Sequence, residues 1–250
     1  MPHSLEEVSA LNNSEVVNNN IKYRIEFSKT DRMIYIGHLD LMKLFHRTFK
    51  KAEIPIGYSR GFNPHQLTIF AVPLALGVSS VGEVLDIQLT EKMNCNEIKE
   101  RLNGVLPEGI AVLQVIELEF SAKSCASAVC FGDYCVTLDG KYENIQNVID
   151  EIMEAGEINI ERTVKKKTKT VNIRPLIKSL IADNTGEKTE IYTNIATGSQ
   201  GNLKIDVLLE YIYEKMGINF RFEKTDILRG TLYTDNEGVL LPLCLEEEFM

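Results

Sequence analysis

Alternating and helical hydrophobic periods follow one another through the first half of the chain. From residue 22 to residue 28 the apolar side chains Tyr23, Ile25 and Phe27 stand at every second position, which is the period of a half-buried strand. From residue 38 to residue 52 apolar residues recur at helical spacing, with lysines and arginines on the opposite face. The pattern predicts the order β-α-β-β-α-β, with strands at 22–28, at 56–58 with 67–72, at 83–89 and at 110–117, and helices at 38–52 and 95–106.

The second half repeats this order more loosely. Residues 144–155 carry apolar side chains at i, i+3, i+4, i+7 and i+8, beginning at Ile145, and this spacing predicts a helix. A second helix is predicted from Ile205 to Met216 on the same grounds. Strands are predicted at 134–138, 159–164, 169–173 and 190–196, and the segments 219–222 and 230–234 finish the chain.

This order favours an α+β fold made of two tandem ferredoxin-like (β-α-β-β-α-β) units, each with an antiparallel sheet. The Asn-, Ser- and Glu-rich residues 1–20 have no sustained period and are expected to be a flexible tail. The predicted domains are 21–118 and 133–250, joined by a linker at 119–132.

The distribution of charge along the chain is more informative than the net charge. The 250 residues carry a net charge of -9, which by itself argues against nucleic acid. Yet residues 22–65 contain nine lysines and arginines against four acids, and residues 162–178 contain seven bases and no acid. A basic face on an acidic protein is one interpretation, and two ordinary solvated surfaces are the other.

Targeting signals and cysteine content indicate the compartment in which the protein is expected. No apolar run approaches the roughly 18 residues that a membrane span needs, and the N-terminus lacks the order of a signal peptide. We therefore expect a cytoplasmic protein with no membrane partner. The five cysteines are then expected to be free thiols. Cys125, Cys130 and Cys135 lack the C-x2-C spacing of zinc sites, and no metal site is predicted.

A loop between the first helix and the second half of the first unit contains the densest polar cluster, Tyr58-Ser59-Arg60-Gly61-Phe62-Asn63-Pro64-His65. Gly61 permits a positive φ and Pro64 stiffens the backbone, so the loop suits a fixed presenter of Arg60, Asn63 and His65. A turn whose polar groups satisfy one another is the alternative.

The start of the first helix is a second candidate, for an anion. Its first amides have no helical partner, and a phosphate or carboxylate is favoured there. The candidate residues are Ser28, Lys29, Arg32, His38 and Asp40.

His38 and His65 are also candidates for acid–base catalysis, because imidazole titrates near neutrality. Neither has a sequence neighbourhood that marks a catalytic site, so no catalytic residue is assigned.

The lysine run of the second half predicts a hairpin whose tip follows a phosphate backbone, or else a solvated hairpin tip. Its basic residues are Lys165, Lys166, Lys167, Lys169 and Arg174. No P-loop or dinucleotide fingerprint accompanies them.

Four motifs, in order along the chain, resemble the radical-SAM-associated protein family, an uncharacterised bacterial domain that stands alone or is fused to a B12-binding radical SAM protein. They are Tyr23-Arg24-Ile25-Glu26-Phe27-Ser28-Lys29, Gly37-His38-Leu39-Asp40-Leu41-Met42, the loop 58–65, and Pro73-Leu74-Ala75-Leu76-Gly77-Val78. Residues 172–177 resemble a later segment of the family. The resemblance implies a radical SAM partner, with S-adenosylmethionine and the iron–sulfur cluster held by that partner and no cofactor in this chain.

Resemblance and charge together predict a non-catalytic accessory protein that binds RNA or a ribonucleoprotein and presents it to a radical SAM partner. One alternative is a metal-independent RNA-processing enzyme on the same scaffold. The other is an adaptor that docks its basic faces onto an acidic protein.

Overall fold

The computed structural model describes residues 21–164 and 167–245, apart from the side chains of residues 162–168 and 223. Its first half follows the predicted order of strands and helices. A 3-10 turn at Asp31–Tyr35 leads into the first helix. The elements are β1 (Ile21–Lys29), α1 (His38–Lys51), β2 (Thr68–Phe70), β3 (Ser79–Leu89), α2 (Cys95–Asn103) and β4 (Ile110–Leu118).

The second half begins with a short helix and ends with a strand hairpin. Its elements are α3 (Cys125–Ala128), β5 (Val129–Thr137), α4 (Ile145–Glu154), β6 (Asn159–Val164), β7 (Lys167–Asn172), β8 (Ile177–Asp183), β9 (Glu190–Ala196), α5 (Ile205–Lys215), β10 (Asp226–Asn236) and β11 (Val239–Pro242).

Most of these strands form a single large sheet rather than two. Its strand order is β4-β1-β3-β10-β5-β9-β8, with β2 paired to β3 and β11 paired to β10. The pairs are antiparallel except for β3 with β10, where Ser79 and Ser80 lie opposite Leu228 and Arg229 in parallel. The protein is therefore a mixed α+β fold with one mostly antiparallel nine-stranded sheet.

The periodicity of the first half has a direct structural cause. Tyr23, Ile25 and Phe27 of β1 are fully buried, and they pack with Phe45 and Phe49 of α1 in one hydrophobic core. Burying a side chain of this size contributes about 1.5–3 kcal/mol, so the alternating strand and the amphipathic helix stabilise each other.

The second helix of the first half confirms a predicted cap. The side chain of Asn94 accepts hydrogen bonds from the backbone amides of Asn96 and Glu97. Helix α2 ends at Asn103, earlier than predicted; glycine has a low helix propensity, so Gly104 favours an end there. Val105 and Leu106 still pack against the core beyond that end.

The predicted strands around the lysine run and the hairpin that they form are confirmed as β6 and β7, but this hairpin stands apart from the large sheet. Two predictions for the second half need correction. The sheet contains β8, a strand that was not predicted. The segment 219–222 is no strand; a 3-10 turn spans Phe222–Lys224, and Phe220 packs against the hydrophobic core of the second half, which includes Ile149 and Leu209. Strand β8 was missed because its buried residues, Ile177 and Leu180, are three apart rather than two.

The segment 119–132 does more than link the halves. It contains α3 and the first residues of β5, and it buries Cys125 and Val129 in a small third cluster with Leu232 and Leu243. That cluster forms because apolar side chains from both halves meet there.

The two halves meet backbone to backbone at Gly82 of β3. A β-carbon on Gly82 would lie 2.2 Å from the carbonyl oxygen of Gly230. Beside it the buried Arg229 of β10 forms a two-pronged ion pair with Glu83 of β3, Nε to Oε1 at 2.8 Å and Nη2 to Oε2 at 2.6 Å. Burial alone would lower the pKa of Arg229. The carboxylate of Glu83 opposes this effect and the pKa is raised overall, so the arginine stays charged.

A second buried ion pair anchors the C-terminal segment. Arg24 of β1 binds both oxygens of Asp86, its cross-strand partner, at 2.7 and 3.0 Å. The same guanidinium donates to the carbonyl oxygens of Leu243 and Lys123, each at 3.0 Å. The end of the second half is therefore held against the first strand.

The Gly82 contact gives a stability prediction. We expect Gly82→Ala to lower the free energy of unfolding by about 3 kcal/mol, because the new methyl group meets a backbone oxygen that cannot move without parting β3 from β10. Urea unfolding measures this. Gly156→Ala is the matched control, since a β-carbon there meets nothing within 4 Å. Equal effects at the two glycines would contradict the account.

Candidate functional site

The loop between α1 and β2 is closed by hydrogen bonds between Ser59 and His65. The amide of Ser59 donates to the carbonyl oxygen of His65 at 2.8 Å, and the amide of His65 donates to the hydroxyl of Ser59 at 3.1 Å. The same hydroxyl lies 2.8 Å from Nδ1 of the His65 ring. At the turn, Gly61 has φ +120°, a conformation that other residues rarely adopt. The loop therefore has a defined shape.

The side chains that this loop presents are exposed. Arg60, Asn63 and His65 all face solvent, and Phe62 at the tip is fully exposed. An exposed large aromatic ring on a closed loop is unusual for a side chain that normally packs. Sequence reasoning chose the three polar residues and missed Phe62, although its place beside Gly61 in the loop was a visible signal.

Gln66 joins the loop to helix α1. Its buried amide nitrogen donates to the carbonyl oxygen of His46 at 3.2 Å and to the hydroxyl of Tyr58 at 3.3 Å. Nε2 of His46 lies 3.1 Å from the hydroxyl of Thr68. The side-chain oxygen of Gln66 has no hydrogen-bond partner in the described part of the chain, although buried polar atoms almost always have one.

The outer face of α1 continues this surface with positive charge. Lys43, Arg47, Lys50 and Lys51 are all exposed, whereas Leu41, Phe45 and Phe49 on the opposite face are buried. Asp40 is exposed beside them, with its carboxylate 3.4 Å from the ammonium of Lys43. We call the combined region the loop–helix surface, made of Lys43, Arg47, Lys50 and Lys51 of α1 and Arg60, Phe62, Asn63 and His65 of the loop.

His46 lies within electrostatic range of both the loop and the rest of α1. Burial lowers the pKa of His46, and interactions with His65 and Lys50 lower it further. His46 is therefore mostly neutral near pH 7, and its ring connects the helix to β2 rather than carrying charge.

The residues predicted at the start of α1 do not form one anion site. Lys29 is buried, and its ammonium donates to the carbonyl oxygen of Ile34 at 3.2 Å. Ser28 makes a long hydrogen bond of 3.5 Å to the carbonyl oxygen of Ala111. Arg32 is exposed, and the ring of His38 lies edge-on to Phe70 with ring centres 5.4 Å apart. These side chains thus differ in burial and in their hydrogen-bond and ring partners.

Burial also lowers the pKa of Lys29, an effect that the carboxylate of Glu83 opposes and the charge of Arg229 reinforces. The same carboxylate opposes the lowering of the His38 pKa by burial. Both groups therefore border the ion pair that joins β3 to β10.

The basic hairpin is described only in part. Lys165 and Lys166 lie outside the described residues, and the side chain of Lys167 is not described. Lys169 is exposed on β7. Arg174 donates to the carbonyl oxygens of Ile177 at 2.9 Å and Met153 at 2.8 Å. Its guanidinium therefore fastens the hairpin base to α4.

The three evenly spaced cysteines contact different parts of the fold. The thiol of Cys125 donates to the carbonyl oxygen of Ile69 at 3.1 Å, and that of Cys130 to the carbonyl oxygen of Tyr233 at 3.4 Å. Burial raises the pKa of Cys125 to about 12, so its thiol is protonated and unreactive at neutral pH. In the described part of the chain, no three His, Cys, Asp or Glu side chains group as a metal site. No described helix is long and apolar enough to cross a membrane.

A family model matches residues 22–205, more than half of the chain, and the family is described as an uncharacterized protein conserved in bacteria, DUF2344. The chain belongs to this family. None of the curated proteins matches it.

Several solved structures are similar at 13% sequence identity. One is the crystal structure of a Cbf5-Nop10-Gar1 complex, with a TM-score of 0.46 over 86% of this chain and 50% of that chain. Another is the archaeal box H/ACA sRNP Nop10-Cbf5 complex, with a TM-score of 0.41 over 83% of this chain and 46% of that one. The chain thus spans about half the length of these proteins. An unknown protein from Galdieria sulphuraria has a TM-score of 0.25 over 84% of this chain and 97% of its own.

The lowered pKa of His38 gives a prediction for the dependence of stability on pH. The folded protein binds the His38 proton more weakly than the unfolded chain does, so this stabilisation is complete above the ordinary pKa of about 6.5 and is lost as pH falls through the lowered value. We expect the free energy of unfolding in urea to fall less between about pH 7.5 and about pH 5.5 in His38→Gln than in the unaltered protein.

A titration of the histidine ring protons by NMR checks the cause directly. The His38 ring should titrate below its ordinary value. Titration at or above that value would contradict the burial argument.

Proposed function

We propose that the protein binds RNA through the loop–helix surface, at a single-stranded or unstacked stretch. The observation that carries this proposal is the fully exposed Phe62 at the tip of a closed loop that also presents Arg60 and that Gln66 joins to α1. Proteins that bind single strands combine cations along the phosphate backbone with aromatic side chains on which bases stack. The loop–helix surface has both components.

The acidity of the whole chain makes this local arrangement decisive. With a net charge of -9, the protein repels a polyanion over most of its surface. Four cations on one face of α1 and Arg60 on the loop oppose that repulsion in the first half, as the basic segment 162–178 does in the second. The loop–helix surface adds the exposed ring of Phe62 to its cations, so RNA would be directed there.

The fold proposal is that each half is a ferredoxin-like unit. Across the sheet, the strands of the first half lie in the order β4-β1-β3-β2, and those of the second half in the order β10-β5-β9-β8. When the four strands of each half are numbered along the chain, leaving out β6, β7 and β11, both orders read fourth, first, third, second. The repeated order supports units at 21–118 and 133–250, with the hairpin β6–β7 inserted in the second.

The partner proposal is a radical SAM protein to which this chain presents the RNA. It rests on the sequence motifs that resemble the radical-SAM-associated family. S-adenosylmethionine and an iron–sulfur cluster would then belong to the partner, and this chain would act as a non-catalytic subunit.

RNA binding is tested by fluorescence anisotropy of an end-labelled single-stranded RNA. We expect the affinity to fall steeply from about 50 mM to about 200 mM salt, because phosphate contacts release counterions. Phe62→Ala should weaken binding about tenfold through lost stacking. The double variant Lys43→Glu, Arg47→Glu should weaken it more and flatten the salt dependence.

Two matched variants separate these effects from general ones. Phe120→Ala removes another exposed phenylalanine, and Lys188→Glu reverses an exposed lysine of the second half. Both should bind as the unaltered protein does. Binding that is insensitive to salt, or equal losses in controls and test variants, would refute the proposal.

The partner is tested by anaerobic affinity purification of the tagged protein, split into nuclease-treated and untreated halves. A radical SAM protein in both halves, with a defined RNA in the untreated one, is the expected result. Recovery of neither would contradict the partner proposal. Cleavage of the recovered RNA by the purified protein, lost in His65→Ala, would favour the enzyme alternative.

A further inference from the structure

A cavity of about 570 Å³ lies between the two halves, on top of the ion pair that joins them. One wall is the segment 71–75 with Val78, which follows β2; the other is the loop 197–206, which leads into α5. Tyr134 and Arg229, cross-strand partners on β5 and β10, also line it. Its volume is within the range of about 300–1,000 Å³ typical of small-ligand sites.

Both walls are held in place without a ligand. In the loop 197–206, the amide of Thr197 donates to the carbonyl oxygen of Cys130 at 2.8 Å, and that of Leu203 donates to Ala196 at 2.9 Å. Gly198 has φ +143°, and a β-carbon there would lie 2.4 Å from the carbonyl oxygen of Val129. Across the cavity, the amide of Gly77 donates to Ile34 at 3.0 Å. A preformed site of this kind loses little entropy on binding.

The cavity is lined by charges of both signs. Arg229 is paired with Glu83 by two hydrogen bonds, and Lys204 and Asp206 both line the cavity. A phosphate or carboxylate would meet the carboxylate of Asp206 as well as Lys204, so a neutral ligand is favoured.

The rest of the lining suits a flat heterocycle with donors and acceptors. Tyr134 and Phe222 offer aromatic surfaces, and the apolar side chains of Leu74 and Val78 lie with them. The polar groups include the carboxylate of Asp206, which accepts hydrogen bonds, and the side-chain amide of Asn202, which both donates and accepts them. Enzymes and binding proteins read an extruded base with this combination of stacking and edge contacts.

We propose that the cavity holds one unpaired nucleobase of the RNA. This inference rests on the RNA binding proposed above. The wall 71–78 supports this connection, because it follows β2 directly and its Gly77 is bonded to the 3-10 turn in front of α1. The cavity wall is thus connected to β2, which follows the loop 58–65, and to the turn that precedes α1. The base enters between the halves while the cations hold its backbone.

The test uses the whole protein and the neutral nucleosides adenosine, guanosine, cytidine and uridine at millimolar concentration, with saturation-transfer NMR as the readout. We expect at least one nucleoside to receive saturation. Ala75→Phe, at the exposed rim of the cavity, should abolish the transfer by filling the entrance. Leu113→Phe, at an exposed position on the edge strand β4, should leave it unchanged. Tyr134→Phe, which removes only a hydroxyl, should weaken it severalfold.

The outcomes separate this inference from the proposed function. The cavity proposal is supported if saturation transfer to a nucleoside persists in the double variant Lys43→Glu, Arg47→Glu and is lost in Ala75→Phe. This holds even if the labelled RNA does not bind. No transfer to any of the four nucleosides, or transfer unaltered in both Ala75→Phe and Tyr134→Phe, overturns the cavity proposal and leaves RNA binding by the loop–helix surface to its own test.

Discussion

The buried ion pair between Glu83 and Arg229 is the interaction on which the rest of the structure depends. It joins β3 to β10, where the contact between Gly82 and Gly230 leaves no room for a side chain, and so it makes one sheet from two sets of strands. Removing one member of such a pair leaves an uncompensated buried charge and costs about 3–5 kcal/mol. The floor of the cavity and the relative position of its walls follow from this pair.

The two proposed roles use the architecture differently. The loop–helix surface is built within the first half, by α1 and the loop that Ser59 and His65 close. The cavity needs both halves, because one wall precedes β3 and the other precedes α5. In these proposals, attraction of the phosphate backbone is a local property of one half, whereas selection of a base depends on the junction. A change that loosens the junction would affect the second property before the first.

Local patterns predicted much of the fold, and long-range contacts account for what they missed. The alternation in β1 and the helical spacing in α1 depend on residues close together in the chain, so both elements could be predicted from the sequence alone. The joining of the sheets depends on Glu83 and Arg229, which are 146 residues apart, and neither stands in a recognisable motif. For the same reason Lys29 was grouped with surface cations although the fold buries it. The exposure of Phe62 likewise follows from loop geometry rather than from composition.

The proposed binding of RNA to the loop–helix surface can be tested by photo-crosslinking. The whole protein would be irradiated with a single-stranded RNA carrying 4-thiouridine, and the peptides joined to RNA would be identified by mass spectrometry. The account predicts crosslinks within the loop 58–66 and along α1. Crosslinks confined to the β6–β7 hairpin, or spread evenly over the protein, would contradict it.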